Sequence, residues 1–226
     1  DRFAKDYKDA LRSTNGDVLQ TITNSMPFMI GGCADVATST KAYVPNMGDF
    51  SSNDYSCRNI FYGVREHVSG SISNGIALSG LRPYSSCFLT FSDYLKPSIR
   101  LSAMMNLPVV YIFTHDSILN GEDGPTHQPI EQLAMLRSIP NLDVFRPADA
   151  NEIVGCWDLI LKNTNKPSAI VISKEEVQII NTTSSFDVKF GAYIVRKETN
   201  KLDGIIIATG TEVSLAIKIA NRLYET

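Results

Sequence analysis

The sequence predicts an α/β fold, a mainly parallel sheet flanked by helices, and three observations carry that prediction. Residues 107–113 form a continuous apolar run of strand length, as expected of a strand buried on both faces. Comparable short apolar runs alternate with longer amphipathic stretches along most of the chain. Polar, titratable segments then follow several of these runs, where a parallel sheet presents the carboxyl ends of its strands.

Residues 2–24 read as a helix with Tyr7, Leu11, Val18, Leu19 and Ile22 as apolar contacts, interrupted near Asn15-Gly16. Phe28-Met29-Ile30-Gly31-Gly32 reads as a buried strand entering a glycine turn. Residues 59–64 form the next strand and 66–78 a helix. Residues 83–89 form a third strand, and 91–105 a helix kinked at Pro97. After the strand at 107–113 come a helix over 128–137, a strand over 142–145, a helix over 151–161 and a strand over 169–172. Residues 1–180 therefore read as one domain. Beyond it, Thr182-Thr183-Ser184-Ser185 reads as a linker, 193–195 as a short strand and 204–210 as a strand and turn leading into a helix over 213–223. One strand–helix unit cannot bury both faces of a sheet, so residues 181–226 are expected to begin a second, truncated domain.

The 226 residues carry a formal charge of −3 with acids and bases interleaved, which argues against a nucleic-acid footprint or a basic membrane patch. The longest apolar runs are about a third of the ~20 residues a membrane span requires. Cys33, Cys57, Cys87 and Cys156 lie far apart without metal-ligand spacing, so free thiols in a reducing, cytoplasmic setting are expected, and no metal site.

The candidate site is the set of strand ends. Asp35 follows the first strand and Glu66 the second, at the start of a helix. His115 and Asp116 follow the central strand and run into Gly121-Glu122-Asp123-Gly124-Pro125-Thr126-His127-Gln128-Pro129. Loops on a rigid scaffold concentrate binding and catalysis, and this one holds two acids and an imidazole within nine residues. Glu66 reads either as a first-turn carboxylate favouring the helix dipole or as a partly buried acid with a raised pKa that exchanges a proton with a ring nitrogen. Phe88, Phe91 and Tyr94 recur every three residues, as core packing or as a slot for a flat heterocycle. His115-Asp116-Ser117 is not a hydrolytic triad, because adjacent residues at a strand end point in alternate directions and no Gly-x-Ser-x-Gly elbow is present.

Taken together, Gly31-Gly32-Cys33-Ala34-Asp35, Gly63-Val64-Arg65-Glu66-His67, Phe88-Leu89-Thr90-Phe91-Ser92-Asp93-Tyr94, Thr114-His115-Asp116-Ser117-Ile118, the Gly121 loop and Arg146-Pro147-Ala148-Asp149 resemble transketolases over almost the whole chain. The resemblance implies the pyrimidine-binding middle domain of a thiamine diphosphate-binding fold, followed by the start of the C-terminal domain. It implies a fragment of an enzyme of the pentose phosphate pathway that moves a two-carbon ketol unit from a ketose phosphate to an aldose phosphate. A dihydroxyacetone synthase-like enzyme and a non-catalytic assembly subunit are the alternatives.

By the same resemblance, Glu66 and His127 are catalytic, with Glu66 hydrogen-bonded to the aminopyrimidine of thiamine diphosphate. Phe88, Phe91 and Tyr94 surround that ring, and Asp35 lies near the thiazolium. Asp123 contacts the sugar C2 hydroxyl and His127 the transferred unit. Arg12, Ser39 and His115 match sugar-phosphate ligands, as does Lys174, which stands where the family carries arginine and lacks its bidentate fork. The family's Gly-Asp-Gly…Asn motif, which binds the diphosphate and Mg2+ or Ca2+ in an N-terminal domain, has no match in this sequence. The chain is accordingly expected to hold half of each site, to pair as a homodimer with that N-terminal domain opposite, and to lack turnover alone.

Overall fold

The computed structural model describes residues 3–224. Six strands form one parallel sheet: β2 (Met29–Cys33), β3 (Asn59–Phe61), β4 (Arg82–Phe88), β5 (Val110–Thr114), β6 (Asp143–Phe145) and β7 (Ser168–Ile172), in the order β3-β2-β4-β5-β7-β6. The mainly parallel α/β expectation holds. Period-two alternation splits the core between the two faces. Val110 and Ile112 of β5, with Ile170 and Ile172 of β7, face α1 (Leu11–Ser25) and α6 (Ala150–Lys162), meeting Leu19, Trp157 and Ile160. Tyr111, Phe113, Ala169 and Val171 point the other way, towards Leu95 and Ile99 of α4 (Ser92–Met104) and Leu136 of α5 (Gln132–Arg137). The sheet is thus covered on both sides, as an all-parallel sheet must be. Trp157 Nε1 donates to Asn15 Oδ1 at 2.7 Å, which satisfies the indole where α6 crosses α1.

The first helix departs from expectation at both its start and its middle. Residue 2 lies outside the described residues; Lys8–Ala10 form strand β1, which pairs antiparallel with β8 (Glu176–Gln178), a strand the periodicity did not reveal. Helix α1 then runs unbroken through Asn15-Gly16. Gly16 marks a close approach: a Cβ there would sit 2.8 Å from the Lys41 carbonyl oxygen, next to α2 (Ala37–Thr40). Helix α3 (Glu66–Leu78) has the expected bounds. Helix α4 begins at Ser92 after a 3₁₀ turn over Leu89–Phe91 and continues through Pro97; 3₁₀ turns occupy Gly121–Asp123 and Pro125–His127, and α5 starts only at Gln132 because Gln128, ahead of Pro129, is extended (φ −96°, ψ 99°).

Residues 193–195 form no strand. Residues 202–209 likewise pair with no strand among the described residues, so the expected strand over 204–210 exists only as extended chain, with α7 (Glu212–Tyr224) following it. Strands need a neighbour for their backbone groups, and apolar sequence alone does not supply one. Among the described residues no helix is long and apolar enough to cross a membrane, and no group of three or more His, Cys, Asp or Glu side chains is placed to hold a metal ion.

Candidate active site

The site lies where the strand order reverses. From β2 the chain moves to β3 on one side, and from β4 to β5 on the other, leaving a crevice beyond the carboxyl ends of β2 and β4. An open cavity of about 450 Å³ occupies it, lined by Asp35, Val64, Glu66, Phe91, Tyr94 and His127 among others. Asp35 leaves β2 with φ 64°, and His115 leaves β5 with φ 58°. Left-handed backbone at two non-glycine residues, both at sheet ends beside one crevice, is strain of the kind held at functional sites.

Glu66 occupies the first turn of α3, half-buried, and among the described residues its carboxylate forms no hydrogen bond or ion pair. Its position satisfies the helix dipole and also leaves both oxygens free for a ligand. Aromatics line the same cavity. The Phe91 and Tyr94 ring centroids are 6.3 Å apart, and the His127 imidazole meets Phe91 edge-on at 5.1 Å. His127 Nδ1 lies 2.8 Å from Thr126 Oγ1, so Nε2 is the nitrogen left over. Phe88 is buried at the end of β4 and does not line the cavity. It stacks on Phe91 at 6.1 Å and packs against the tilted His115 ring at 3.8 Å, joining the cavity to a second group of residues.

That second group is cationic. The β1–β8 pairing brings the start of α1 to the end of β7, where Arg12 N donates to Ser173 O at 3.2 Å. Arg12 Nη1 donates to Ser39 O at 2.9 Å and to His115 Nε2 at 3.4 Å, while Arg12 Nε is buried without a partner. Ser39 therefore enters through its carbonyl. Burial, then the charges of Arg12 and Lys174, push the His115 pKa down to about 4 against the opposing pull of Asp123. Lys174 Nζ meets Glu122 Oε2 at 3.2 Å, a pairing with an exposed partner that a stronger anion could displace.

Sequence reasoning gave no supporting role to the residues that hold this frame. Asn120, buried, donates from Nδ2 to His115 O at 2.9 Å and His127 O at 3.4 Å, fixing both ends of the loop. Thr114 and Thr126 each bind the Nδ1 of the histidine that follows, and the repeated Thr-His dipeptide was the available signal. Arg146 donates from Nε and Nη2 to Asp116 Oδ2 at 3.1 and 2.9 Å, and reaches Thr209 O and Glu212 on α7 at 3.0 and 2.7 Å. Burial raises the Asp116 pKa in spite of that guanidinium. Asp149 caps α6 by accepting Glu152 N at 3.1 Å and also accepts Ile180 N, tying the segment after β8 to the start of α6.

Residues 8–179 match the family described as "Transketolase, pyrimidine binding domain". A transketolase of Bacillus subtilis is 49% identical over 221 residues, which is 96% of this chain and 33% of that protein. The structure of a Pichia stipitis transketolase in complex with sedoheptulose 7-phosphate superposes with a TM-score of 0.94 at 39% identity, covering 97% of this chain and 33% of that one. A split-gene transketolase described as an inactive β4 tetramer superposes with a TM-score of 0.60 at 26% identity, over 76% of this chain and 54% of its own. The chain thus spans about a third of the length of the curated relatives it matches.

Proposed function

The chain belongs to the transketolase family through its pyrimidine-binding domain, and on that premise we propose that it supplies the pyrimidine and sugar side of a thiamine diphosphate-dependent ketol transferase. The reaction moves a two-carbon ketol unit from a ketose phosphate to an aldose phosphate, in pentose phosphate interconversion. The observation that carries this reading is the 450 Å³ cavity lined by Glu66 together with Phe91 and Tyr94. An aminopyrimidine requires a flat apolar face and an acid at a ring nitrogen, and these residues meet both needs in a cavity of small-molecule size.

When bound, thiamine diphosphate would supply an electron sink for the two-carbon unit being transferred. Glu66 would offer its carboxyl to the ring nitrogen of the pyrimidine. Phe91 and Tyr94 would hold the pyrimidine and exclude water from it, with Phe88 packed behind Phe91, and Asp35 would serve the thiazolium. Asp123 reads the sugar C2 hydroxyl. His127 presents Nε2 to the reacting unit and can carry a proton to or from its oxygen. Arg12, His115 and Lys174, with the Ser39 carbonyl orienting Arg12, take the sugar phosphate. We assign the diphosphate and its Mg2+ or Ca2+ to a separate domain of the full-length protein. A cytoplasmic homodimer fits the free cysteines and the exposed apolar residues Val64, just ahead of α3, and Val68 and Ile72 within it.

The deciding experiment compares the full-length protein with the 226-residue chain, each with a ketose phosphate donor, an aldose phosphate acceptor and saturating thiamine diphosphate. Transfer by the full-length protein alone is expected. No cofactor-dependent transfer by the full-length protein would overturn the reading.

A further inference from the structure

The hydrogen bonds of His115 determine where its ring proton sits. Nδ1 lies 2.8 Å from Thr114 Oγ1, and Nε2 lies 3.4 Å from Arg12 Nη1. A guanidinium only donates, so Nε2 accepts and the proton is on Nδ1, donated to the Thr114 hydroxyl oxygen. The resting ring therefore turns a lone pair towards the corner where Arg12 and Lys174 gather positive charge. Phosphate oxygens are acceptors too. An incoming phosphate can bond to Nε2 only after that nitrogen has gained a hydrogen.

We propose that this corner takes its phosphate together with one proton, captured from solvent at His115 Nε2, and that Thr114 is the positioning residue that holds Nδ1–H throughout. The proposal rests on the sugar-phosphate reading above. In the exchange, Arg12 Nη1–H leaves Nε2 for a phosphate oxygen and a solvent proton forms the new Nε2–H bond. The imidazolium then donates from Nδ1 to Thr114 and from Nε2 to phosphate, and no other bond changes.

The groups facing the ring are few. Arg12 from α1, Lys174 after β7 and His127 from the loop oppose the imidazolium, whereas Asp123 of the same loop favours it. Phe88 at the end of β4 covers the ring face and keeps water away. Burial with Arg12 and Lys174 keeps the resting ring neutral at pH 7. Two negative charges within bonding distance act in the opposite sense and offset those two cations.

The test is calorimetry of sedoheptulose 7-phosphate binding to the full-length protein, in two buffers of different ionisation enthalpy, from pH 8.5 to 7. At pH 8 the second ionisation of a phosphate monoester, near pH 6, is essentially complete, so protons counted there belong to the protein. Net uptake is expected, increasing as pH falls, with affinity dropping by up to about tenfold per pH unit above the bound-state pKa of His115. His115→Asn, whose side chain tolerates the left-handed backbone, should abolish both the uptake and the slope. Thr114→Val should lose the uptake and Thr114→Ser restore it. The chain has three histidines, so nitrogen NMR with inorganic phosphate should also show both His115 nitrogens moving to the imidazolium signature. Absence of binding in the parent protein would reject the sugar-phosphate reading itself. Binding without proton uptake, with Nε2–H formed by tautomer exchange and the Thr114 hydroxyl donating to Nδ1, overturns the proposal and leaves that reading standing.

Discussion

At the scale of single residues, the proposed chemistry rests on one carboxyl group and one imidazole. Glu66→Gln keeps size and polarity but removes the acid, so turnover of the full-length protein is expected to fall by about 10²–10⁴-fold while the fold is retained. Near-normal turnover would remove Glu66 from the proton relay. His115 makes a separate prediction for stability. Its folded pKa of about 4 lies below the ordinary 6.5, so its contribution is complete above pH 6.5 and is lost as pH falls from there towards 4. The urea midpoint should drop across that window, and His115→Asn should flatten the drop; equal drops in both proteins would reject the assignment. The candidate residues themselves were legible because polar groups at strand ends stand out against apolar runs. Their supports were not. Thr114 and Asn120 have ordinary side chains, and only the fold shows which imidazole and which carbonyl they hold.

At the scale of elements, two substitutions separate packing from propensity. In an exposed helix, glycine to alanine adds about 1 kcal/mol of stability. At Gly16 the sign should reverse, since the new methyl would press on the Lys41 backbone, and denaturant unfolding of Gly16→Ala reads that sign directly. The helix break expected at Asn15-Gly16 failed for the same reason: the glycine answers to a tertiary neighbour, not to a turn. The Arg146–Asp116 pair joins β6 to the segment after β5, with side chains 10% and 2% exposed. Arg146→Met leaves Asp116 buried and unpaired, which should cost about 3 kcal/mol and speed amide exchange at residues 209–213. Adding Asp116→Asn should recover part of the loss; no recovery would mean that the charge is not the cause. Long periodic helices and the central strands were readable from their apolar spacing. The short pair β1–β8 was not, because three-residue strands carry too little pattern.

At the scale of the whole molecule, the parallel sheet converts separate motifs into one crevice, and that convergence was legible from strand–helix alternation alone. What alternation could not indicate is whether each apolar run finds a partner. Residues 204–210 read as a strand and turn, yet Ile205 is 76% exposed, Ile206 48% and Ile207 89%, and no neighbouring strand accepts them among the described residues. The consequence is colloidal. An open, extended, β-branched stretch is a template on which further copies can add edge to edge. The storage behaviour of this 226-residue chain should therefore be governed by concentration-dependent self-association, not by unfolding of the sheet. Ile206→Lys should suppress light scattering of concentrated solutions and leave the thermal midpoint unchanged. Scattering that persists in that variant would locate the adhesive surface elsewhere.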